Sequence, residues 1–127
     1  TEGDHSVQVA VKDEAGNQSQ PSDAITITVD TTAPSKPAAP VVSDDVGAVT
    51  GTITEGDKTD DTQPNIAVPP LAAGEEVVLI VDGESVPFIT NEDGTISPET
   101  PLTEGDHSVQ VAVKDEAGNQ SQPSDAI

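Results

Sequence analysis

The sequence predicts an all-β protein, a two-sheet antiparallel sandwich of about seven strands, and three observations support this. Apolar residues alternate with polar residues in several short segments, which is the period of a strand with one buried face. Clusters of Gly, Asp, Asn and Pro separate these segments at intervals of roughly 8 to 12 residues, a spacing typical of sandwiches. No segment carries helical periodicity over ten residues.

The first predicted strand places three valines on one face, Val7, Val9 and Val11, and the valines of its identical copy are Val109, Val111 and Val113 within residues 107–114. In a second strand, Ile25, Ile27 and Val29 alternate with threonines. The segment 13–23 between them is rich in Gly, Asn, Ser and Pro, which are turn-forming residues. The sequence therefore predicts a strand hairpin with a long loop.

The middle of the chain predicts a second hairpin. Residues 76–81 form a continuous apolar run, and Asp82–Gly83 directly after it is a strong two-residue turn signal that returns the chain through residues 85–89. Residues 91–94 predict the next turn. Weaker strands are predicted at residues 46–53 and 65–68. Pro69 and Pro70 cannot donate ladder hydrogen bonds, so the latter strand ends there or lies at a sheet edge.

The chain contains an exact internal repeat, because residues 1–25 recur without a change as residues 103–127, an offset of 102 residues. That period has the size of one small autonomous domain, so we expect a tandem array of identical domains with neighbouring repeats as partners. Residues 1–30 are then the C-terminal strand pair of a preceding repeat and residues 31–36 a linker. Residues 37–127 are expected to form one repeat that lacks its last strand.

This division predicts an exchange of strands between molecules. The final repeat stops before the strand that residues 24–30 form in the leading copy, which leaves sheet edges open, and an open edge is a template for pairing. We expect residues 1–30 of one molecule to complete the sandwich of another, displacing or supplementing residues 103–127. The alternative is completion within one molecule, for which residues 31–40 must stretch along the whole domain.

The charge of the chain is strongly one-sided, with 24 acidic residues against 4 lysines and a net charge of -20. Binding to nucleic acid is excluded because it requires cationic groups that neutralise phosphates, and anionic membranes are disfavoured for the same reason. No apolar run is long enough for membrane insertion. Repulsion among so many carboxylates, around a core with one aromatic residue, predicts stabilisation by a divalent cation. The alternative is that the charge only keeps a long secreted chain soluble.

The residues do not support catalysis. His5 and His107 are copies of one position, and the serine after each points to the opposite strand face, so no dyad forms. One histidine per repeat cannot supply a zinc site. Carboxylate pairs suited to glycoside hydrolysis lack sugar-stacking aromatics around them. We therefore expect no enzyme, and we expect His107 to be a solvated residue at the start of a strand.

Six short strings, in order and spacing, resemble the bacterial immunoglobulin-like (BIg) repeats that extend giant RTX adhesins secreted by the type I route, including biofilm and ice-binding adhesins. The strings are residues 30–34 (DTTAP), 43–47 (SDDVG), 50–53 (TGTI), 59–64 (TDDTQP), 102–107 (LTEGDH) and 113–119 (VKDEAGN). The resemblance covers the whole period.

This resemblance implies an Ig-like Greek-key sandwich at the bacterial cell surface, in the extracellular space. Such repeats are calcium-stiffened spacers that hold a ligand-binding tip away from the cell. The alternative function is a calcium-dependent adhesion module that contacts a partner directly. Binding surfaces usually expose Trp, Tyr, Arg or Met, and the sequence contains none of the four.

Calcium takes six to eight oxygen ligands, which turns dense in aspartate can supply. Chain order places residues 59–62, Asp82 and residues 103–106 at one pole of the domain. It places the loop 115–125 at the other pole, beside Asp30. The candidate ligands are therefore Asp30 and Asp115 at the linker first, then Asp60, Asp61, Asp44 and Asp45, with Asp106 and with Asp13 as the copy of Asp115. The alternative role of each aspartate is to cap its own turn by binding backbone amides.

Overall fold

The computed structural model describes all residues from 1 to 127, and the chain divides into two compact units, Thr1–Thr32 and Ala33–Ile127. The chain forms ten strands and no helix, and every strand pairing is antiparallel. The all-β prediction is confirmed. No helix is present that could cross a membrane.

The first unit is a single strand pair, in which β1 (Gly3–Val7) lies antiparallel to β2 (Ile25–Val29). β2 has the predicted position, but the first strand ends at Val7 instead of continuing through Val9 and Val11. The reason is that the pairing beyond Val7 is irregular. The Val9 N–H donates to the Ser22 hydroxyl and the Val11 N–H donates to the Ser19 hydroxyl, where a regular strand would donate to backbone carbonyls. The tight turn at residues 13–17 closes this hairpin.

The second unit contains two sheets. The larger sheet has the strand order β4-β3-β5-β9-β8. Its members are β3 (Val42–Asp44), β4 (Gly51–Ile53), β5 (Asn65–Ile66), β8 (Phe88–Thr90) and β9 (Ile96–Pro98). The smaller sheet has the order β10-β6-β7, from β6 (Glu76–Val81), β7 (Glu84–Val86) and β10 (Val109–Lys114).

The core of the second unit lies between these two sheets. Leu79, Val81, Val109 and Val111 come from the smaller sheet, and the larger sheet contributes Val42, Ile66 and Ile96. Leu79, Val111 and Ile66 have no exposed surface. The alternating valines of β10 thus face the core as predicted, and β6 lies beside β10 with Leu79 opposite Val111.

Two strand predictions require correction, and two observed strands were not predicted. The predicted return strand 85–89 is split into β7 and β8, which belong to different sheets, because Pro87 between them has no N–H to continue the ladder. Of the predicted strand 46–53 only β4 forms, since the chain bends at residues 46–49. β3 and β9 were not predicted, because three residues are too few to show alternation. The second unit therefore has eight strands instead of about seven.

A polar network lies within the larger sheet. The Asn91 amide donates to Asn65 Oδ1 at 3.1 Å and to the Ser97 hydroxyl at 2.9 Å. Ser97 is buried, and its hydroxyl also lies 3.2 Å from Asn65 Oδ1. Because buried polar groups require partners, this network fixes the turn at residues 91–94 against β5 and β9.

Candidate functional site

Four candidate aspartates lie together where β3 ends and the loop before β5 passes it. Asp44 is buried, and its carboxylate accepts the Thr59 hydroxyl at 2.6 Å and the Val46 N–H at 2.8 Å. The Thr59 hydroxyl, followed by the Val46 N–H, holds the pKa of Asp44 below its ordinary value. The Asp44 carboxylate therefore holds together the bend after β3, at Val46, and the loop before β5, at Thr59.

Asp61 lies in the same cluster and is 5% exposed. Its carboxylate accepts the N–H groups of Gln63 at 2.9 Å and Asp45 at 3.3 Å. Burial is the main cause that raises the pKa of Asp61, and the nearby charge of Asp45 adds to it. The negative charge on Asp61 thus opposes folding in the absence of a compensating cation.

Gly47 allows Asp60 to approach this cluster. Its φ is +76°, and a Cβ at this position would lie 2.2 Å from Asp60 Oδ2. A side chain at residue 47 would therefore push Asp60 away. The Asp45 N–H reaches the Asp61 carboxylate, so the two aspartate pairs share one surface. No three acidic or histidine side chains converge on a common point as a metal site requires.

Asp115 and Asp13 organise identical turns in the two units. The Asp115 carboxylate accepts the N–H groups of Ala117 at 3.0 Å and Asn119 at 2.9 Å, together with the Asn119 side-chain amide at 3.1 Å. Asp13 repeats these contacts with Ala15 and Asn17. The Asn17 amide is the main cause that lowers the pKa of Asp13. The same sequence forms the same turn in two different settings, so this turn is a local structure.

Asp30 lies in the first unit, at the end of β2, where its carboxylate accepts the Thr32 N–H at 3.0 Å. Beside it, Glu2 accepts the Thr31 N–H and the hydroxyls of Thr31 and Thr32 at 2.6 to 2.7 Å. The Thr32 hydroxyl contributes most to the lowered pKa of Glu2. Sequence reasoning did not predict these hydrogen bonds of Glu2, because nothing in the sequence pairs it with the threonines 29 and 30 positions further along the chain.

Asp82, which chain order places at the same pole as residues 103–106, contacts His107 directly after that segment. His107 lies beside Asp82, with Nδ1 at 2.8 Å from the Asp82 carboxylate and Nε2 at 2.6 Å from the Thr103 carbonyl. The expectation that His107 is simply solvated is therefore wrong, and only 19% of its side chain is exposed. Asp106 is exposed, and its negative charge also raises the pKa of His107.

Both nitrogens of the His107 ring face acceptors, which only the protonated imidazolium satisfies. The Asp82 carboxylate is the main cause that raises the pKa of His107. The Ser108 N–H, and next His107 itself, lower the pKa of Asp82. The contribution of His107 to stability is complete below its unfolded pKa and is lost as pH rises through the raised folded pKa. The contribution of Asp82 to stability is present above the pKa that Asp82 has in the unfolded chain. It is lost as the pH falls through the lowered pKa of Asp82 in the folded protein.

We expect the His107→Gln variant to remove this pH dependence. Between about pH 5.5 and about pH 8, wild type should lose roughly 0.2 to 1 kcal/mol more unfolding free energy than the variant, the range for partly exposed ion pairs. Urea denaturation at both pH values measures the difference. His5→Gln is the matched control, since His5 contacts the Thr1 carbonyl and no carboxylate. Equal pH dependence in wild type and H107Q would contradict the assignment.

A groove of about 660 Å³ lies on the second unit, away from the aspartate cluster. Its walls come from the segments 34–41 and 67–72, in which proline and alanine predominate, and its floor includes Val111 and Val113. Lys36 and Glu75 are its charged residues. The groove is therefore mainly apolar.

The two packed antiparallel sheets, the mixed order of their strands and the core between them define an Ig-like β-sandwich. The family of bacterial Ig-like domains matches residues 36–127, so the chain belongs to that family. No curated protein matches the chain. Bacterial Ig-like domains usually occur in surface or extracellular proteins and are typically non-catalytic.

Proposed function

We propose that the chain is a spacer segment of a large repetitive bacterial surface adhesin, in which it extends a ligand-binding tip away from the cell. The observation that carries this proposal is the exact repeat of residues 1–25 as residues 103–127. In the second unit this segment supplies β10, a strand of the smaller sheet whose Val109 and Val111 belong to the core of an Ig-like domain. A sequence in which a 25-residue part of a domain recurs unchanged suits a function that depends on copy number, because neither copy of that part carries a unique site.

Calcium binding is part of the proposal. The donor chemistry of the aspartate cluster fits calcium, because Asp44, Asp45, Asp60 and Asp61 offer only oxygen, and because burial and the charge of Asp45 disfavour the ionised form of Asp61. These four residues are the candidate ligands within the domain, with no more than two of their side chains at any one ion. Since no three side chains converge, backbone carbonyls and water would complete its shell. Asp30 and Asp115 remain the predicted ligands at the linker between repeats.

A second candidate function is adhesion through the domain itself. The apolar groove supports it, because concave apolar surfaces are where partners commonly bind. The groove lacks aromatic residues and arginine, which dominate the energetics of binding surfaces. The spacer function is therefore the better supported of the two.

The spacer proposal is tested by small-angle X-ray scattering from a chain of several repeats. With calcium we expect an extended rod that lengthens by roughly 40 Å per repeat, from strands of about 7 residues at 3.3 Å plus loops and linker. Chelator or Asp30→Ala should make the rod flexible. Asp93→Ala is the control, because Asp93 binds only the turn of Thr95. Scattering profiles that superimpose with and without calcium would refute calcium stiffening, and a compact particle would refute the spacer.

A further inference from the structure

The outer edge of β10 is closed by a segment that is not a strand. β10 lies at one edge of the smaller sheet, with β6 on its inner side. Along the outer edge, Val109, Val111 and Val113 each present one N–H and one C=O group, and all six groups bind residues 121–127. Edge strands commonly leave such groups unpaired. The segment 121–127, which has no strand structure, therefore covers an edge that would otherwise be open.

The two sides of this contact advance by different steps. The paired valines of β10 are two residues apart, whereas their partners Ile127, Ser124 and Ser121 are three residues apart. A regular antiparallel ladder needs equal steps on both sides, so backbone groups alone do not complete this one. The serine hydroxyls supply the missing acceptors, since the Val111 N–H donates to Ser124 at 3.0 Å and the Val113 N–H donates to Ser121 at 2.9 Å.

Both hydroxyls also act as donors. The Ser124 hydroxyl donates to the Asp125 carbonyl at 3.0 Å, and the Ser121 hydroxyl donates to the Gln122 carbonyl at 2.9 Å. Each hydroxyl thus links a valine N–H of β10 to a carbonyl of the segment. Ser121 and Ser124 are 5% and 2% exposed. Because buried polar groups require partners, removal of either hydroxyl leaves a valine N–H without its acceptor.

The segment does not create a new edge on its own outer side. Pro123 has no N–H to offer to a further strand. The carbonyls of Gln122 and Asp125 already accept the serine hydroxyls, and the carbonyl of Ser124 accepts the Gln110 side-chain amide at 2.8 Å. A regular row of free donors and acceptors, which a pairing strand requires, is therefore missing.

The same serine ladder forms in the first unit. Val9 donates to the Ser22 hydroxyl and Val11 donates to the Ser19 hydroxyl, at 3.0 and 2.9 Å. These two valines are 71% and 73% exposed, whereas their copies in β10 are buried. The ladder thus depends on the local sequence and not on the packing of the valines.

The strand behind this ladder has the composition of one that pairs readily. Residues 108–113 (SVQVAV) contain three valines and no charged residue, Gly or Pro, which is typical of segments that stack edge to edge. In a tandem array, identical strands of neighbouring repeats would be present at high effective concentration. That last step rests on the proposed spacer function, whereas the ladder itself does not.

We propose that Ser121 and Ser124 are an edge guard, whose hydroxyls hold residues 121–127 on β10 and so prevent β10 from pairing with β10 of a second copy of this chain. The guard is needed because β10 combines a strongly pairing sequence with a position at a sheet edge.

The double variant S121A/S124A tests the guard, because it removes both hydroxyls and little else. Amide exchange of Val111 and Val113, followed by NMR, should accelerate by roughly tenfold or more, as expected for a lost hydrogen bond. High salt screens the repulsion between chains of net charge -20. Under that condition, sedimentation should show more dimers and larger species than wild type forms, increasing with concentration. Ser85→Ala is the control on the opposite edge strand, where Ser85 is exposed, and it should behave as wild type.

Leu79→Ala separates opening of the edge from loss of stability, because it creates a cavity in the core and leaves both serines in place. Association of L79A to the same extent as S121A/S124A overturns the proposal. Unchanged amide exchange in S121A/S124A, or association no greater than that of wild type, overturns it as well. These measurements need neither calcium nor an array, so their failure is distinct from failure of the spacer proposal.

The single variant S124A decides the matter if the double variant does not fold. Amide exchange of Val111 should then accelerate more than that of Val113, because only Val111 loses its acceptor. S124A should also associate more than wild type. Equal acceleration at both valines would indicate general loosening of the domain and would overturn the proposal, as would association no greater than that of wild type.

Discussion

Leu79→Ala should lower the free energy of unfolding of the second unit by about 2 to 5 kcal/mol, the range for removing a buried leucine side chain. Leu79 has no exposed surface and lies on β6 between Val111 of β10 and Val86 of β7. The surrounding side chains are valines and isoleucines fixed on strands, so they cannot readily fill the cavity. Small domains are stable by about 5 to 15 kcal/mol, so this loss is a large fraction of the total.

Urea denaturation followed by circular dichroism measures this effect, since the chain has no Trp or Tyr for fluorescence. Leu71→Ala is the matched control, because Leu71 is 39% exposed and lies outside the core. We expect the control to lose less than about 1 kcal/mol, as most substitutions away from the core do. Equal losses in L79A and L71A would show that β6 is not the centre of the core.

Calcium should raise the melting temperature of the second unit by on the order of 10 °C or more. The estimate follows from about 2.7 kcal/mol of stabilisation at a hundredfold excess over Kd and the usual entropy of unfolding of a domain this size. Magnesium at the same concentration should raise it much less, because its octahedral geometry suits irregular acidic turns poorly. Thermal melting in calcium, magnesium and chelator measures both effects. Equal melting in calcium and chelator would refute the metal part of the proposal.

Asp61→Asn separates calcium binding from turn formation. Without calcium, the variant should stay within about 1 kcal/mol of wild type, because it removes a charge that folding disfavours while keeping an oxygen for the Gln63 N–H. With calcium, it should lose most of the increase in melting temperature. Asp93→Asn is the control and should keep the full increase. A D61N protein that melts early without calcium, yet gains as much from calcium as wild type, would assign Asp61 to the turn alone.

Elements whose signal is local were predictable from the sequence. The alternating valines of β10 and the apolar run of β6 have the period and the length that a buried strand requires. The turn at residues 82–83 and the turn at Asp115 depend on residues close in sequence, and both form as expected. Local chemistry is sufficient for such elements, because their hydrogen bonds join near neighbours.

Features that depend on distant pairing were not predictable in this way. The sequence contains no signal that Pro87 moves the chain from one sheet to the other, since a proline also fits within an edge strand. Asp45 and Asp61 meet only because β3 pairs with β5. The sequence therefore identified these aspartates as candidates without indicating that the two pairs share one surface. His107 contacts Asp82 for the same kind of reason, across 25 residues.

The path of the chain between the two sheets determines how the second unit unfolds. The chain passes from the larger sheet to the smaller between β5 and β6, returns at Pro87, and passes to the smaller again between β9 and β10. Neither sheet is made of one continuous stretch, so neither can detach while the other stays intact. We therefore expect a single all-or-none transition, with the same midpoint for spectroscopic and calorimetric signals. Pulling on the ends of such a domain should release it in one step, without a half-unfolded intermediate.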